Sequence, residues 1–398
     1  MIETVKGFRD VLPPESLKRR KIREVIEKNF KLFGFVPVET PTIEYEELAK
    51  GDNEKDSAVS ERFKLKDRGN RDLSLRYELT FQLKRMFKEN PQLKLPFRKS
   101  QIAYVFRDEP IEKDRYREFM QCDVDIIGDP SINADVECLA IADRVCKELG
   151  INYTLKINNR KLLNDILKKS DINDTANVLR EIDKFDKIGE DEVKKNLTKY
   201  ADKDQIISIF KVLNKDLAYF VKEKFQGADE ILKLLDLCKI YGIKAEFSPF
   251  LLRGFSYYTG NVFEGYSDKI KGSLFGGGRY DNLVGKFIAR QIPAVGISIG
   301  RLLDYPIEDI PATKCIIISI NQEKKSTELM NNLRDSGISC FMIDKVSKAL
   351  DYANSQQIPF VIFIGEDEVK KEKFKLRDMK SGKEKMLAES SIIKELSE

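Results

Sequence analysis

Apolar and polar positions change period several times along this chain. Between residues 15 and 33, Ile22, Val25, Ile26 and Phe30 recur at helical spacing among Lys, Arg and Glu, and Gly34 supplies the stop. "FVPVETPTIE" (35–44) then reads as extended, because it is rich in β-branched residues and its prolines forbid a helix. "DLSLRYELT" (72–80) alternates apolar and polar, which predicts a strand, with a helix starting at Thr80. "PFRKSQIAYVFRDEP" (96–110) is a second extended run. "EKDRYREFMQCDVDIIG" (112–128) climbs from a charged loop carrying Asp114 and Arg115 into a strand that ends at Gly128. Together these two runs predict a hairpin. An amphipathic helix (133–150) and a strand (151–158) follow.

From about 160 to 240 the chain is rich in Lys, Asp and Leu, nearly free of glycine and helical in period, which predicts an all-helical insertion. The strand pattern returns with "KAEFSPFLLRGFSYYTGNVFEGY" (244–266). "GGGRYDNLVGKF" (276–287) reads as a glycine turn followed by a helix, and "PAVGISIGRLLDY" (293–305) as a small-residue strand entering a helix. Beyond residue 311 short apolar strands alternate with helices ("KCIIISI", "STELMNNLRDSG", "ISCFMID", "VSKALDYANSQQ", "PFVIFIG"), which predicts a mostly parallel, doubly wound sheet. A charged tail rich in Lys and Glu closes the chain. The strands of 72–305, by contrast, cluster in hairpins and predict a mixed, mainly antiparallel sheet.

Composition narrows the chemistry. The 398 residues hold 70 Lys and Arg against 66 Asp and Glu, a net charge of +4 that permits a local nucleic-acid contact without demanding one. No stretch approaches the ~20 apolar residues of a membrane span, and the amino terminus lacks the apolar core of a signal peptide, so a cytoplasmic protein is expected. The six cysteines are scattered and read as reduced core residues. There is no histidine at all. That excludes Ser-His-Asp and Cys-His nucleophiles and H-E-x-x-H metal sites, and leaves carboxylates, arginines, tyrosines, backbone donors or a bound metal to do any chemistry.

Four clusters could carry it. In "FRDE" (106–109) with Arg115 and Phe119, forked cations, an acid and an aromatic face are arranged as a nucleotide grip would need; an exposed charged hairpin is the plain alternative. The glycines of "GGGRYD" (276–281) allow close approach of a ligand, or simply make a turn. Arg301, near a predicted helix start, suits an anion, or is a solvated surface residue. Glu78 in "RYELT" stands beside a hydroxyl, or is a strand-end acid. "LLRGFSYYTG" (251–260) has no packing rationale: it sets a fixed cation and two phenols between glycines.

The order of these segments along one chain resembles the class II aminoacyl-tRNA synthetases, and in particular the histidyl-tRNA synthetase family, whose histidine-specific signature "RGFSYYTG…VFE" resembles. The resemblance spans essentially the whole chain, and 160–240 is its least constrained part. It implies an α+β fold: a class II catalytic domain (1–160 and 241–308) with a six-stranded antiparallel sheet and flanking helices, a helical insertion (161–240), and a C-terminal α/β anticodon-binding domain (311–398). It implies that L-histidine is activated with ATP and Mg2+ to histidyl-adenylate and transferred to the 3′ end of tRNA(His), by a cytoplasmic homodimer with Pro41 at its interface.

Residue by residue, the resemblance implies that Arg107 holds the α-phosphate and the amino-acid carboxylate. Glu109 would face the adenine amine, Phe119 the ring, Arg115 the outer phosphates and Arg301 the γ-phosphate. Arg253 would stabilise charge at the reacting α-phosphate. The histidine pocket would draw on Glu78, Leu79, Thr80, Arg107, Gln121, Asp125, Arg253, Tyr257 and Tyr258. Glu78 and Tyr258 suit the two ring nitrogens, and Asp125, Gln121 and Thr80 the ammonium. Against the family pattern, Leu79 replaces a Gly, Asp125 a Glu and, often, Ser256 an Asp; His is frequent where Met120 or Asp108 stands. The resemblance also admits a catalytically silent relative, the histidine-sensing regulatory subunit of ATP phosphoribosyltransferase. That relative generally lacks the C-terminal domain and erodes the arginines, whereas Arg107, Arg253 and Arg301 all stand here.

Overall fold

The computed structural model describes residues 2–49, 61–111, 115–253, 257–288 and 290–397. The chain divides into two compact units, Met1–Asp10 with Ile22–Pro306, and Val11–Lys21 with Ile307–Glu398. Strands of the first unit are β1 (Val36–Pro37), β2 (Ile43–Tyr45), β3 (Lys64–Lys66), β4 (Asp72–Leu75), β5 (Phe97–Phe106), β6 (Glu118–Ile127), β7 (Thr154–Asn159), β8 (Ala245–Phe247), β9 (Asn261–Ser267), β10 (Ile270–Arg279) and β11 (Ala294–Ser298).

Eight of them form one sheet in the order β1-β5-β6-β11-β10-β9-β7-β8, and β2-β4-β3 form a small one. The inner six, from β5 to β7, pair antiparallel throughout. The expected six-stranded antiparallel sheet is therefore present, and a short parallel strand extends it at each edge. The helix Ile132–Glu148 buries a nearly continuous apolar face that includes Val136, Leu139, Ile141 and Val145. On β10 the buried Arg279 ion-pairs with Asp135 of this helix. Segment 160–240 is helical throughout, from Arg160–Lys169 to Ala228–Ile240, and local caps such as the Asp202–Gln205 capping box set its boundaries.

Several elements differ from their sequence-based expectation. The strand expected over 72–80 ends at Leu75, and residues 76–80 are all buried, so both sides of that segment are covered and pairing stops. The "GGG" triplet lies inside β10 and is not a turn. After it the chain makes turns and a three-residue 3-10 helix, Lys286–Ile288, in place of the expected helix, and "GRLLD" (300–304) is likewise only a 3-10 helix. "LLRGFSYYTG" is not a strand: among its described residues none pairs, and β9 starts after it at Asn261.

In the second unit β12 (Cys315–Ser319), β13 (Cys340–Ile343), β14 (Phe360–Ile364), β15 (Phe374–Asp378) and β16 (Glu384–Leu387) form a sheet ordered β13-β12-β14-β15-β16. The first three are parallel, as expected. β15 runs antiparallel to β14, and a tight turn with Gly382 at φ +70 then returns the chain so that β16 pairs antiparallel with β15. The charged tail supplies this hairpin and the helix Glu389–Ser397, which buries Ile392 and Leu396. Alternate residues of β12 bury on opposite faces. Ile317 packs with Leu329 and Leu333, and Ile316 and Ile318 pack with Ala349 and Ala353. All six cysteines are buried and free.

Candidate functional site

The period-two alternation of β6 brings Phe119, Gln121, Asp123 and Asp125 to one face of the large sheet. Across the ladder Asp125 pairs with Lys99 of β5 and Gly296 of β11, and Asp123 with Gln101 and Ser298. Farther along the same face, Gly276 and Gly278 of β10 stand opposite Glu264 and Val262 of β9. The face is polar and charged in the middle and floored by glycine. The reason for glycine is steric. A Cβ on Gly276 would lie 2.5 Å from Arg253 Nη1, and one on Gly278 would lie 2.9 Å from Tyr258 Cδ1. A Cβ on Gly296 would overlap Asp125. The glycines let Arg253, Tyr258 and Asp125 lie close on the sheet. "GGG" (276–278) and "RGFSYY" (253–258), distant in sequence, meet through Arg253 and Tyr258.

Arg107 leaves the end of β5 with its guanidinium between two rings, 4.4 Å from the Tyr77 centroid and 5.0 Å from Phe119. Its Nε donates to the Tyr77 carbonyl at 3.4 Å, and Nη1 lies 3.8 Å from Glu109 Oε1. Glu109 is buried and ion-paired with Arg115, which is half exposed. Arg253 is ion-paired with Glu264, and its buried Nε has no hydrogen-bond partner. Arg301 donates to the Lys271 carbonyl at 3.2 Å, and its own Nε is likewise buried and unpartnered. Two guanidinium groups thus keep an unused donor inside the protein.

The residues expected around an amino acid also gather here. Tyr257 and Tyr258 have ring centroids 4.7 Å apart. Tyr257 also packs edge-on against Phe81 and Tyr280, and its hydroxyl donates to Glu78 Oε2 at 3.2 Å. Burial holds both phenols above their ordinary pKa and therefore neutral. Glu78 Oε1 is buried with no partner. Burial, opposed by Arg107 and Tyr257, pushes the Glu78 carboxyl up to about 7. Gln121 Nε2 donates to Ser298 Oγ at 3.2 Å. Thr80 is buried beside Leu79. Asp125 receives Lys99 Nζ at 2.9 Å and the Tyr280 hydroxyl, and Lys99 Nζ also donates to the Leu79 carbonyl at 3.0 Å. Ser256 and Asp114 lie outside the described residues.

Four residues of this face escaped the sequence reading: Lys99, Asp123, Glu264 and Tyr280. Asp123 was findable, since alternation puts it in step with Gln121 and Asp125. Lys99 occupies the inward phase of β5 but is a residue type rarely buried. Glu264 and Tyr280 depend on contacts with Arg253 and Asp125 that no local pattern encodes. Among the described residues no group of three or more Asp, Glu or Cys side chains is placed to hold a metal ion. No described helix is long and apolar enough to cross a membrane.

Comparison with known proteins gives the family. A family model described as histidyl-tRNA synthetase matches residues 7–301, and one described as an anticodon binding domain matches residues 314–398. A histidine–tRNA ligase 1 of Bacillus cereus is 36% identical over 420 residues, covering 98% of this chain and 96% of its own. A histidine–tRNA ligase of Clostridium tetani is 35% identical over 426 residues, covering 98% and 96%. The crystal structure of a histidyl-tRNA synthetase from Nostoc superposes with a TM-score of 0.87 at 26% identity, covering 100% of this chain and 99% of that one. An ATP phosphoribosyltransferase regulatory subunit/histidyl-tRNA synthetase from Bacillus halodurans shares the fold, with a TM-score of 0.75 at 24% identity over 91% of this chain and 98% of that one. By a family match over most of its length and full-length relatives above one-third identity, the chain belongs to the histidyl-tRNA synthetase family.

Proposed function

We propose that this chain activates L-histidine with ATP and transfers the histidyl group to the 3′ end of tRNA(His), and that the glycine-floored face of the large sheet is where activation occurs. In the first step a carboxylate oxygen of histidine attacks the α-phosphorus of ATP. The new O–P bond forms as the bond to the bridging oxygen breaks, and pyrophosphate leaves with the electron pair. In the second step the terminal ribose hydroxyl of tRNA attacks the activated carbonyl and AMP leaves. Neither step needs a histidine base on the protein. Both need negative charge spread over fixed cations.

The residues fit that need. Arg107 is held rigid between two rings and takes the α-phosphate and the carboxylate. Glu109 faces the adenine amine and Phe119 the adenine ring. Arg115 reaches the outer phosphates, and Arg301 the γ-phosphate with its unused Nε donor. Arg253 sits over Gly276 and stabilises charge at the α-phosphate. Glu78 and Tyr258 face the imidazole, with Tyr257 behind them, while Asp125, Gln121 and Thr80 lie toward the ammonium. Magnesium belongs to the substrate, entering with the ATP phosphates. The exposed Val36, Ile43 and Tyr45 around Pro41 support a homodimer interface on this segment. A cytoplasmic location is part of the same proposal.

The observation that carries the activation site is Arg253. Its guanidinium lies over a strand glycine and is ion-paired to Glu264, and its Nε is buried with no hydrogen-bond partner. The silent regulatory reading would leave no use for that arrangement, nor for an anticodon-binding segment at 314–398. Histidine-dependent ATP–pyrophosphate exchange and histidylation of tRNA test the proposal. No exchange at high enzyme concentration defeats it.

A further inference from the structure

Resting on the placement of Arg253 at the reacting phosphate, we propose that the helical insertion sets the position of Arg253. Phe185 acts through the backbone that enters it, and Tyr266, linked to the next insertion residue, acts through its counter-ion Glu264. The first route starts on the short helix Phe185–Ile188. Phe185 stacks on Phe250 with ring centroids 3.9 Å apart and planes at 16°. Phe210, also of the insertion, lies 6.1 Å from the same ring. Phe250 is three residues before Arg253. On either side of it the carbonyls of Pro249 and Leu251 accept from Asn158 Nδ2, each at 3.0 Å. No strand holds the described part of this segment: β8 ends at Phe247 and β9 starts at Asn261. The chain entering Arg253 is fixed by its carbonyls to β7 and by its ring to the insertion.

The second route reaches the guanidinium. Glu264 accepts from Arg253 Nη1 on one carboxylate oxygen and from the Tyr266 hydroxyl on the other. A glutamate held at one oxygen keeps much of its rotamer freedom, whereas a donor on each oxygen fixes the carboxylate plane and the cation paired to it. Burial holds the Tyr266 phenol above its ordinary pKa, so it stays a donor. Lys156 stands opposite Glu264 in the β7–β9 ladder. Its Nζ lies 5.4 Å from the centroid of the Tyr266 ring and 3.5 Å from Asp186 Oδ2. Asp186 follows Phe185, so two consecutive insertion residues begin the two routes.

Charge points the same way. Burial above all pushes the Asp183 carboxyl above its ordinary range, with Lys187, Arg253 and Arg160 opposing and Glu264 adding to it. The insertion therefore comes within electrostatic reach of both members of the Arg253–Glu264 pair. The Lys156–Asp186 pair is largely exposed on its acidic side and adds little to stability. What it fixes is where Lys156 lies over the tyrosine ring.

Phe185→Ala and Tyr266→Phe in the full chain test this, measured by histidine-dependent pyrophosphate exchange. Each should lower kcat roughly ten-fold, part of the ~10²-fold that a 1 Å misplacement costs, with the KM values for histidine and ATP moving less than about threefold. Phe185→Tyr keeps the stacked ring and should keep the rate. The deciding readout is a double-mutant cycle, because Arg253→Ala removes the group on which both routes act. In that background either change should cost less than about twofold. Damage to the fold at large would instead persist there in full. Phe185→Leu is read by the same cycle if the alanine variant does not fold. A rate within twofold of wild type in Phe185→Ala or in Tyr266→Phe overturns the proposal, as does a ten-fold loss that persists beside Arg253→Ala. Absence of exchange in the wild type would defeat the ligase reading itself, and the inference with it.

Discussion

Gly276→Ala separates the two jobs a strand glycine can have, packing and catalysis. The new Cβ would lie 2.5 Å from Arg253 Nη1, 3.1 Å from its Cζ and 3.0 Å from Glu264 Cγ, where ordinary contact begins at 3.4 Å. The guanidinium must therefore retreat by about 1 Å. It can do so without disrupting the sheet, because it is the far end of a flexible side chain and Glu264 can follow it. Gly276 has no left-handed φ, so alanine is at home in the strand and recovers about 0.5–1 kcal/mol of the entropy that glycine costs there. Stability should change by less than about 1 kcal/mol. Activity should not be spared. A displacement of ~1 Å in a charge-stabilising group costs on the order of 10²-fold, about 2.7 kcal/mol of barrier. The assay is the exchange kcat with saturating histidine and ATP, beside the thermal midpoint. Gly34→Ala is the comparison: Gly34 has φ +74 and nothing within 4 Å of its added Cβ, so it should lose stability and keep its rate. Exchange within twofold of wild type in Gly276→Ala would refute the placement of Arg253 at the reacting phosphate. So would a rate loss matched by collapse of the fold.

Arg253→Ala should lower exchange kcat by roughly 10²–10³-fold, with the histidine KM moving only a few-fold. An unchanged rate would leave Arg253 as a structural counter-ion of Glu264. Lys99→Met strands Asp125 as a buried charge and should cost about 3–5 kcal/mol in urea unfolding. Adding Asp125→Asn should recover part of that, and a Lys99→Met loss below about 1 kcal/mol would mean the pair is already neutralised. Glu78 and Asp123 are both pushed to about 7 in the folded protein from ordinary values of 4.5 and 3.8. A raised carboxyl pKa favours the fold below the unfolded value and loses that advantage as pH climbs to the folded one. Their contribution to the ligand-free thermal midpoint should therefore fall between about pH 4 and pH 7. Asp123→Asn should flatten that slope, and a slope identical to wild type contradicts the burial of Asp123.

The sequence was most readable where one period governs a whole element. The β5–β6 hairpin, the helical stretch 160–240 and the parallel strands beyond 311 follow from periodicity alone. It misled where a tertiary contact overrode local preference. Three glycines in a row read as a turn, yet they are strand residues: Gly276 and Gly278 are kept small because Arg253 and Tyr258 lie on them, and Gly277 because the backbone of Gly296 crowds it. Two tyrosines in an extended run should point to opposite faces, yet their rings sit 4.7 Å apart, because the chain there is a loop wrapped onto the sheet.

Lys99 joins two oddities that looked separate in the sequence. The resemblance marks both Leu79 and Asp125 as departures, in segments more than 40 residues apart. Lys99 touches both, the first through its carbonyl and the second through its carboxylate. An aspartate, one methylene shorter than glutamate, leaves room for that ammonium against the strand, and Gly296 beside it cannot carry a Cβ without overlap. A chain without a single histidine then holds two carboxyls, Glu78 and Asp123, near pH 7, the range in which an imidazole would titrate. Burial provides that tuning.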